Sequence, residues 1–167
     1  MRRTALAMSR LESVIRRLTA QRDILDRVCA EVASQSGPII ELGLGNGRTF
    51  DHLRERLPGR RIIAFDRAFA AHLSSMPNEG DLILGEIRET AATFAGIGAA
   101  LVHADIGTGY ADRDAETLTW LPGLVASLLA PSAIAVSGLP LAHTLLTPMP
   151  LPSGINPDRY HVLRRTA

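Results

Sequence analysis

The chain has 167 residues, of which 46% are hydrophobic and 21% charged, a size and balance that suit one folded domain and exclude a disordered chain. Its formal net charge of +1 lacks the basic excess with which nucleic-acid binders displace counterions, so no nucleic-acid partner is expected. Every basic residue among its 18 Lys and Arg is an arginine, which excludes a Schiff-base lysine and the lysine of a P-loop. A lone Cys29 points to a reducing, cytoplasmic setting. No apolar run approaches the ~20 residues of a membrane span, and Met1-Arg2-Arg3 leads into sequence that soon turns charged, so neither a leader nor a membrane anchor is expected.

In chain order, Ser9 and Glu12 have the spacing of a capping box and predict a helix over residues 9–36. Leu11, Ile15, Leu18, Leu25, Val28, Cys29 and Val32 recur at threes and fours, so one side of it packs; Ser36-Gly37-Pro38 stops it. Ile39-Ile40-Glu41-Leu42 then reads as a short buried strand that ends in glycines and opens a helix carrying Phe50, Leu53 and Leu57. A second strand follows at 61–65, closing a βαβ unit. Further strands are predicted at 81–84, 99–104 and 133–136, with helices at 86–94 and 115–129 between them. Alternating strands and helices imply a doubly wound, mostly parallel α/β sheet covered on both faces. Residues 140–157, rich in Pro, Gly and Ser, read as a long loop, and 159–164 as an edge strand. No repeat or linker divides the chain, which is read as a single domain: helix 9–36, core 38–139, then loop and edge strand 140–167.

The chemistry concentrates after the first strand. A P-loop needs four residues between its glycines followed by Lys, whereas Gly43 and Gly47 enclose three and Arg48 follows. The dinucleotide fingerprint needs a small residue where Arg48 stands, which disfavours a dehydrogenase. A carboxylate, Glu41, at the strand end beside glycines that let a ligand touch backbone suits a cationic or polar ligand better than a pyrophosphate. Asp66 closes the second strand about twenty residues beyond the glycines, the offset at which an acid reaches ribose hydroxyls; it also suits the N-cap ahead of Arg67-Ala68-Phe69.

The segment Glu41-Leu42-Gly43-Leu44-Gly45-Asn46-Gly47 resembles, at every fixed position, the first motif of class I S-adenosylmethionine-dependent methyltransferases. That resemblance covers about 38–139 and is looser after Asp66. It implies a Rossmann-like fold, here shortened at its carboxyl end because few residues follow Leu139, with the helix 9–36 added in front. It implies S-adenosyl-L-methionine as cofactor, bound by Glu41, Leu42, Gly43, Gly45, Asn46, Gly47, Asp66 and Arg67. Glu86 and Ile87 would frame the adenine, and Asp105 would stand where methyl group and acceptor meet. Amino-directed DNA methyltransferases carry Asp/Asn-Pro-Pro-aromatic at that place, while this chain has Asp105-Ile106-Gly107-Thr108, which argues for a small-molecule acceptor.

Methyl transfer needs alignment and at most a base. The titratable candidates near the ends of the fourth and fifth strands are Asp105, His103, Tyr110 and His143, although His103 also reads as a core histidine, Tyr110 as a pocket cover and His143 as a surface loop residue. A metal set of His103, Asp105, Asp112 and Asp114 lacks diagnostic spacing, and no metal is expected. Two other functions stay open at this point, a non-catalytic module binding the same cofactor and an NAD(P)-dependent oxidoreductase. The incomplete acceptor pocket and an uncovered sheet edge lead to the expectation of a homodimer or dimer of dimers, with the first helix or the 140–157 loop in the contact.

Overall fold

A computed structural model describes residues 8–167, and the Met1-Arg2-Arg3 stretch lies outside the described residues. Five parallel strands lie side by side in the order β3 (Leu82–Leu84), β2 (Ile62–Asp66), β1 (Ile39–Leu42), β4 (Ala99–Ala104) and β5 (Leu129–Ser137). An antiparallel β7 (His161–Arg165) follows, with β6 (Leu146–Pro148) at the edge. On one face lie α1 (Arg10–Val32) and α2 (Arg48–Arg56); α3 (Ile87–Ala92) and α5 (Leu121–Leu128) cover the other, and α4 (Ala111–Leu118) packs against α5. No described helix is long and apolar enough to cross a membrane.

Because both faces of β1 are covered, its residues alternate between two apolar layers. Ile40 and Leu42 join Ile63, Phe65 and Val102 under α5, while Ile39 joins Ala64, Leu101 and Ile134 under α1 and α2. Glu41 therefore places a carboxylate in the α1 and α2 layer, opposite His103 across the β1–β4 pairing.

The predicted first helix is shorter than 9–36, and its capping box is half formed. Ser9 Oγ accepts from the Glu12 N–H at 3.1 Å, but the Glu12 carboxylate turns to Arg16 at 2.8 Å instead of reaching back. At the other end Arg60 donates to the carbonyls of Val32, Ala33 and Gly37, satisfying acceptors that a helix terminus leaves free. The buried side of α1 is Gln21, Ile24, Leu25, Val28, Cys29 and Val32, whereas Leu11 and Ile15, expected in the packed stripe, are 70% and 49% exposed. The helix leaves the sheet before it reaches them.

Two further boundaries differ from the pattern. The helix expected over 115–129 is two helices, because α4 starts at Ala111 and the chain breaks at Thr119-Trp120 so that Pro122 can occupy the first turn of α5. The carboxyl end is not a loop plus one edge strand. Within 140–157, Leu146–Pro148 pairs with β7, so β7 is an inner strand and β6 takes the edge, completing seven strands where a shortened sheet is expected. Three residues ending in proline show no alternation by themselves; pairing defines the strand. Arg27 on α1 donates to the Pro150 carbonyl and ties the remaining loop to the helix.

Candidate functional site

The carboxyl ends of the parallel strands open on a cleft of about 840 Å³, the position at which open α/β sheets take their ligands. Gly43, Gly45, Asp66, Arg67, Glu86 and Ile87 line one side of it, and Asp105 with the segment after it lines the other. Seven of the predicted binding residues thus converge, although they come from four strand ends.

The glycine turn shows why its residue types are needed. Gly43 has φ +89°, and a Cβ there would stand 2.7 Å from Ile106 Cγ2; Gly47 has φ +83°, and a Cβ would meet Ser75 Cβ at 2.4 Å. Both glycines serve close approach of neighbouring chain and carry a left-handed backbone. Gly45 differs: nothing lies within 4 Å of a Cβ built on it, so this glycine leaves space for a ligand. Its N–H donates to Asp66 Oδ2 at 2.8 Å, and Oδ1 accepts from the Arg67 N–H at 2.7 Å. The Asp66 carboxylate is thus fixed in orientation at the cleft wall, with lone pairs left for hydroxyl donors. Arg67 reaches Glu86 at 3.2 Å, an exposed ion pair of little energetic weight.

Four predicted binding residues are placed elsewhere. Glu41 is wholly buried: one oxygen accepts from the Thr49 hydroxyl and the other is 2.9 Å from His103 Nδ1. It braces the turn from below, within the core. Leu42 is fully buried and contributes its carbonyl to the Asp105 N–H. The Asn46 side chain accepts from the Arg48 N–H at the start of α2, and Gly47 packs on Ser75.

The catalytic candidates divide in the same way. Asp105 lies at the cleft, where Gln21 Nε2 of α1 donates to its Oδ2 at 2.7 Å. His103 is 1% exposed and belongs to the core pair with Glu41. Burial works against its protonation, but the charge and hydrogen bond of Glu41, with Asp105 adding, raise its pKa above the ordinary 6.5. His143 Nδ1 accepts from the Leu145 N–H and closes a turn before β6. Tyr110 is 67% exposed under the Arg113 guanidinium, outside the lining of the cleft. Asp114, drawn above into a metal set, accepts from Thr108 and Gly109, whose bonds hold its pKa low and shape the cleft rim.

Two polar side chains beside Asp105, Gln21 and Tyr160, escape the sequence reading. Gln21 is 4% exposed. Tyr160, just before β7, is also buried, and burial, with the Asp105 charge adding, pushes its hydroxyl up to about 12 against the opposing influence of Arg17 and Arg159, so it is a proton donor. Their only trace in the sequence is one glutamine among apolar helical positions and a tyrosine ahead of a strand.

A doubly wound sheet in the order 3-2-1-4-5-7-6, with the glycine turn and an oriented Asp66 carboxylate at its cleft, is a methyltransferase fold. Residues 8–165 match the S-adenosyl-L-methionine methyltransferase family, and the chain belongs to it. It is similar to an S-adenosyl-L-methionine methyl transferase from Silicibacter pomeroyi, with 40% identity, a TM-score of 0.86 and coverage of 95% of this chain and 99% of that one. It shares its fold with the putative methyltransferase yhhF from Escherichia coli, at 15% identity and TM-score 0.64 over 98% of this chain and 90% of that one. The same holds for an O-methyltransferase family protein from Burkholderia thailandensis, at 14% identity and TM-score 0.57 over 93% and 58%. No curated protein is matched. The chain is a methyltransferase, and its cofactor is S-adenosyl-L-methionine.

The buried pair has a measurable consequence. A histidine whose folded pKa is raised stabilises most below its unfolded value of 6.5 and loses that contribution as pH rises through the folded value. Urea unfolding between about pH 7 and 8 lies above most of the titration of His161 and below most of that of Cys29, whose thiol burial pushes up from 9.0. Stability is expected to fall across that window. His103→Gln should flatten the fall and cost about 3 kcal/mol or more at its lower end, because Glu41 is left buried without its partner; parallel pH profiles for the two proteins would contradict the pairing.

Proposed function

We propose that the chain transfers a methyl group to a small-molecule acceptor whose reacting atom sits at Asp105. The observation that carries this reading is the convergence, in one cleft of about 840 Å³, of the Asp66 carboxylate with an Asp105 carboxylate held from behind by Gln21. The formal net charge of +1 and the 4% aromatic content argue against a nucleic-acid substrate, which would call for basic surface and stacking platforms.

Asp66 would hold the ribose hydroxyls, Ile87 and Glu86 would frame the adenine, and the open backbone at Gly45 would receive the amino-acid portion. When bound, S-adenosyl-L-methionine supplies a methyl group made electrophilic by its sulfonium. Displacement at that carbon gains mainly from alignment. Asp105 accepts a hydrogen bond from the acceptor's O–H or N–H, orients its lone pair and takes up its proton as needed. Gln21 keeps the carboxylate in one rotamer.

Parallel calorimetric titrations with S-adenosyl-L-methionine, its demethylated product and NADH test the cofactor assignment. The first two are expected to bind and NADH is not. Asp66→Ala should weaken binding by about 1.5–3 kcal/mol per lost hydroxyl contact, since hydrogen bonds to a charged group have that strength. Binding of NADH alone, or unchanged affinity in Asp66→Ala, would refute the assignment.

We place this activity in the cytoplasm and in a homodimer. The start of α1 supports pairing: Leu11 and Val14 are 70% and 43% exposed, and no other described element covers them. Light scattering at micromolar concentration is expected to give twice the chain mass, and Leu11→Glu with Val14→Glu should halve it. A single-chain mass for the unsubstituted protein would contradict the dimer.

A further inference from the structure

The side of α1 that packs on the sheet is apolar from Ile24 to Val32 and turns polar where it passes the carboxyl ends of the strands. Gln21 is buried there, and Arg17 stands one helical turn further along the same side. Polar residues on a stripe whose pattern asks for apolar ones mark function more often than packing. Gln21 engages Asp105 directly, and Arg17 lies beside Tyr160, which in turn is close enough to Asp105 to feel its charge. The stripe thus leads away from the methyl-transfer position.

It leads into a second groove, of about 460 Å³, between the first half of α1 and residues 153–159. The charges on its walls are unequal. Glu12 is paired with Arg16, and Asp23 with Arg22 just outside the groove, each at 2.8 Å, so both carboxylates are already neutralised. Arg17 and Arg159 line the same groove, and among the described residues neither has a carboxylate within ion-pair distance. Arg17, which also touches the Tyr160 hydroxyl, and Arg159 therefore keep N–H donors for anionic oxygens, a group their guanidinium forks match in both charge and planar geometry. Ile15 and Ile155 add an apolar floor, as expected of a small-molecule site.

We propose that this groove is the methyl-acceptor site, and that Arg17 and Arg159 select an acceptor carrying a carboxylate or phosphate group whose opposite end reaches Asp105 beside Gln21 and Tyr160. The inference rests on the placing of methyl transfer at Asp105. It explains why α1 carries Arg17 and Gln21 on its inner side, and why the loop after β6 is tied to α1 at Pro150.

The test is calorimetry on protein saturated with S-adenosylhomocysteine, at constant ionic strength, titrated in parallel with benzoate, phenyl phosphate, benzamide and benzylamine. One or both anions should bind roughly tenfold more tightly than the neutral and cationic compounds, the ratio expected for a charge-assisted contact; the tighter of the two tells carboxylate from phosphate. The double variant Arg17→Gln, Arg159→Gln should abolish the preference, and Arg10→Gln, outside the groove, should keep it. Failure of both anions to bind at about 20 mM, equal or tighter binding of benzamide or benzylamine, or a preference that survives the double variant would overturn the proposal. Failure of S-adenosylhomocysteine to load would instead strike the cofactor assignment, so the two are read separately.

Discussion

A carboxylate in the middle of an apolar sheet layer is the constraint from which the site is built. Glu41 is fully buried among Ile39, Leu101 and the helices above them, and an uncompensated charge there would cost several kcal/mol. It is compensated twice, by His103 on the neighbouring strand and by Thr49 on α2. Those two bonds tie together β1, β4 and the helix that follows the glycine turn. The turn at residues 43–47 is consequently held between a fixed strand end and a fixed helix start, and Gly45 is presented to the cleft with its N–H already committed to Asp66. The acid of the first motif thus shapes the ligand site without touching its surface.

The second organising element is α1. Its inner half is an ordinary packed helix, with Ile24, Leu25, Val28 and Val32 buried against the sheet. Its outer half projects beyond the sheet and brings Gln21 to Asp105 and Arg17 to Tyr160. A helix that spans both regions couples docking of the amino-terminal segment to the rotamer of the cleft carboxylate, because Gln21 cannot make its bond unless Ile24 and Val28 are seated. In the reading proposed above, contacts of this kind would position an acceptor from rigid elements, which favours the alignment that methyl transfer needs.

Much of this was legible in the residues. The strand–glycine–helix unit, Asp66 at the end of the next strand and Asp105 after the fourth all stand where pattern and spacing put them, because each follows from a short apolar run ending at the same rim of the sheet. What pattern does not show is direction. In a strand buried on both faces, Glu41 and His103 are as much inside as Ile40, and periodicity carries no sign of which way a polar side chain points; only the β1–β4 register brings the two together. Gln21 is hidden for a related reason: Leu11 and Ile15 continue a helical stripe in sequence while the helix has already left the sheet. The three residues of β6 have no alternation of their own and become a strand through β7.

The most direct test of the account is a crystal structure of the protein with S-adenosylhomocysteine. The ribose hydroxyls are expected on the Asp66 carboxylate, the adenine against Ile87, and the thioether sulfur facing Asp105 with Gln21 still bonded behind it. A nucleoside bound away from Asp66, or a sulfur turned away from Asp105, would contradict the assignment of the cleft and of the transfer position together.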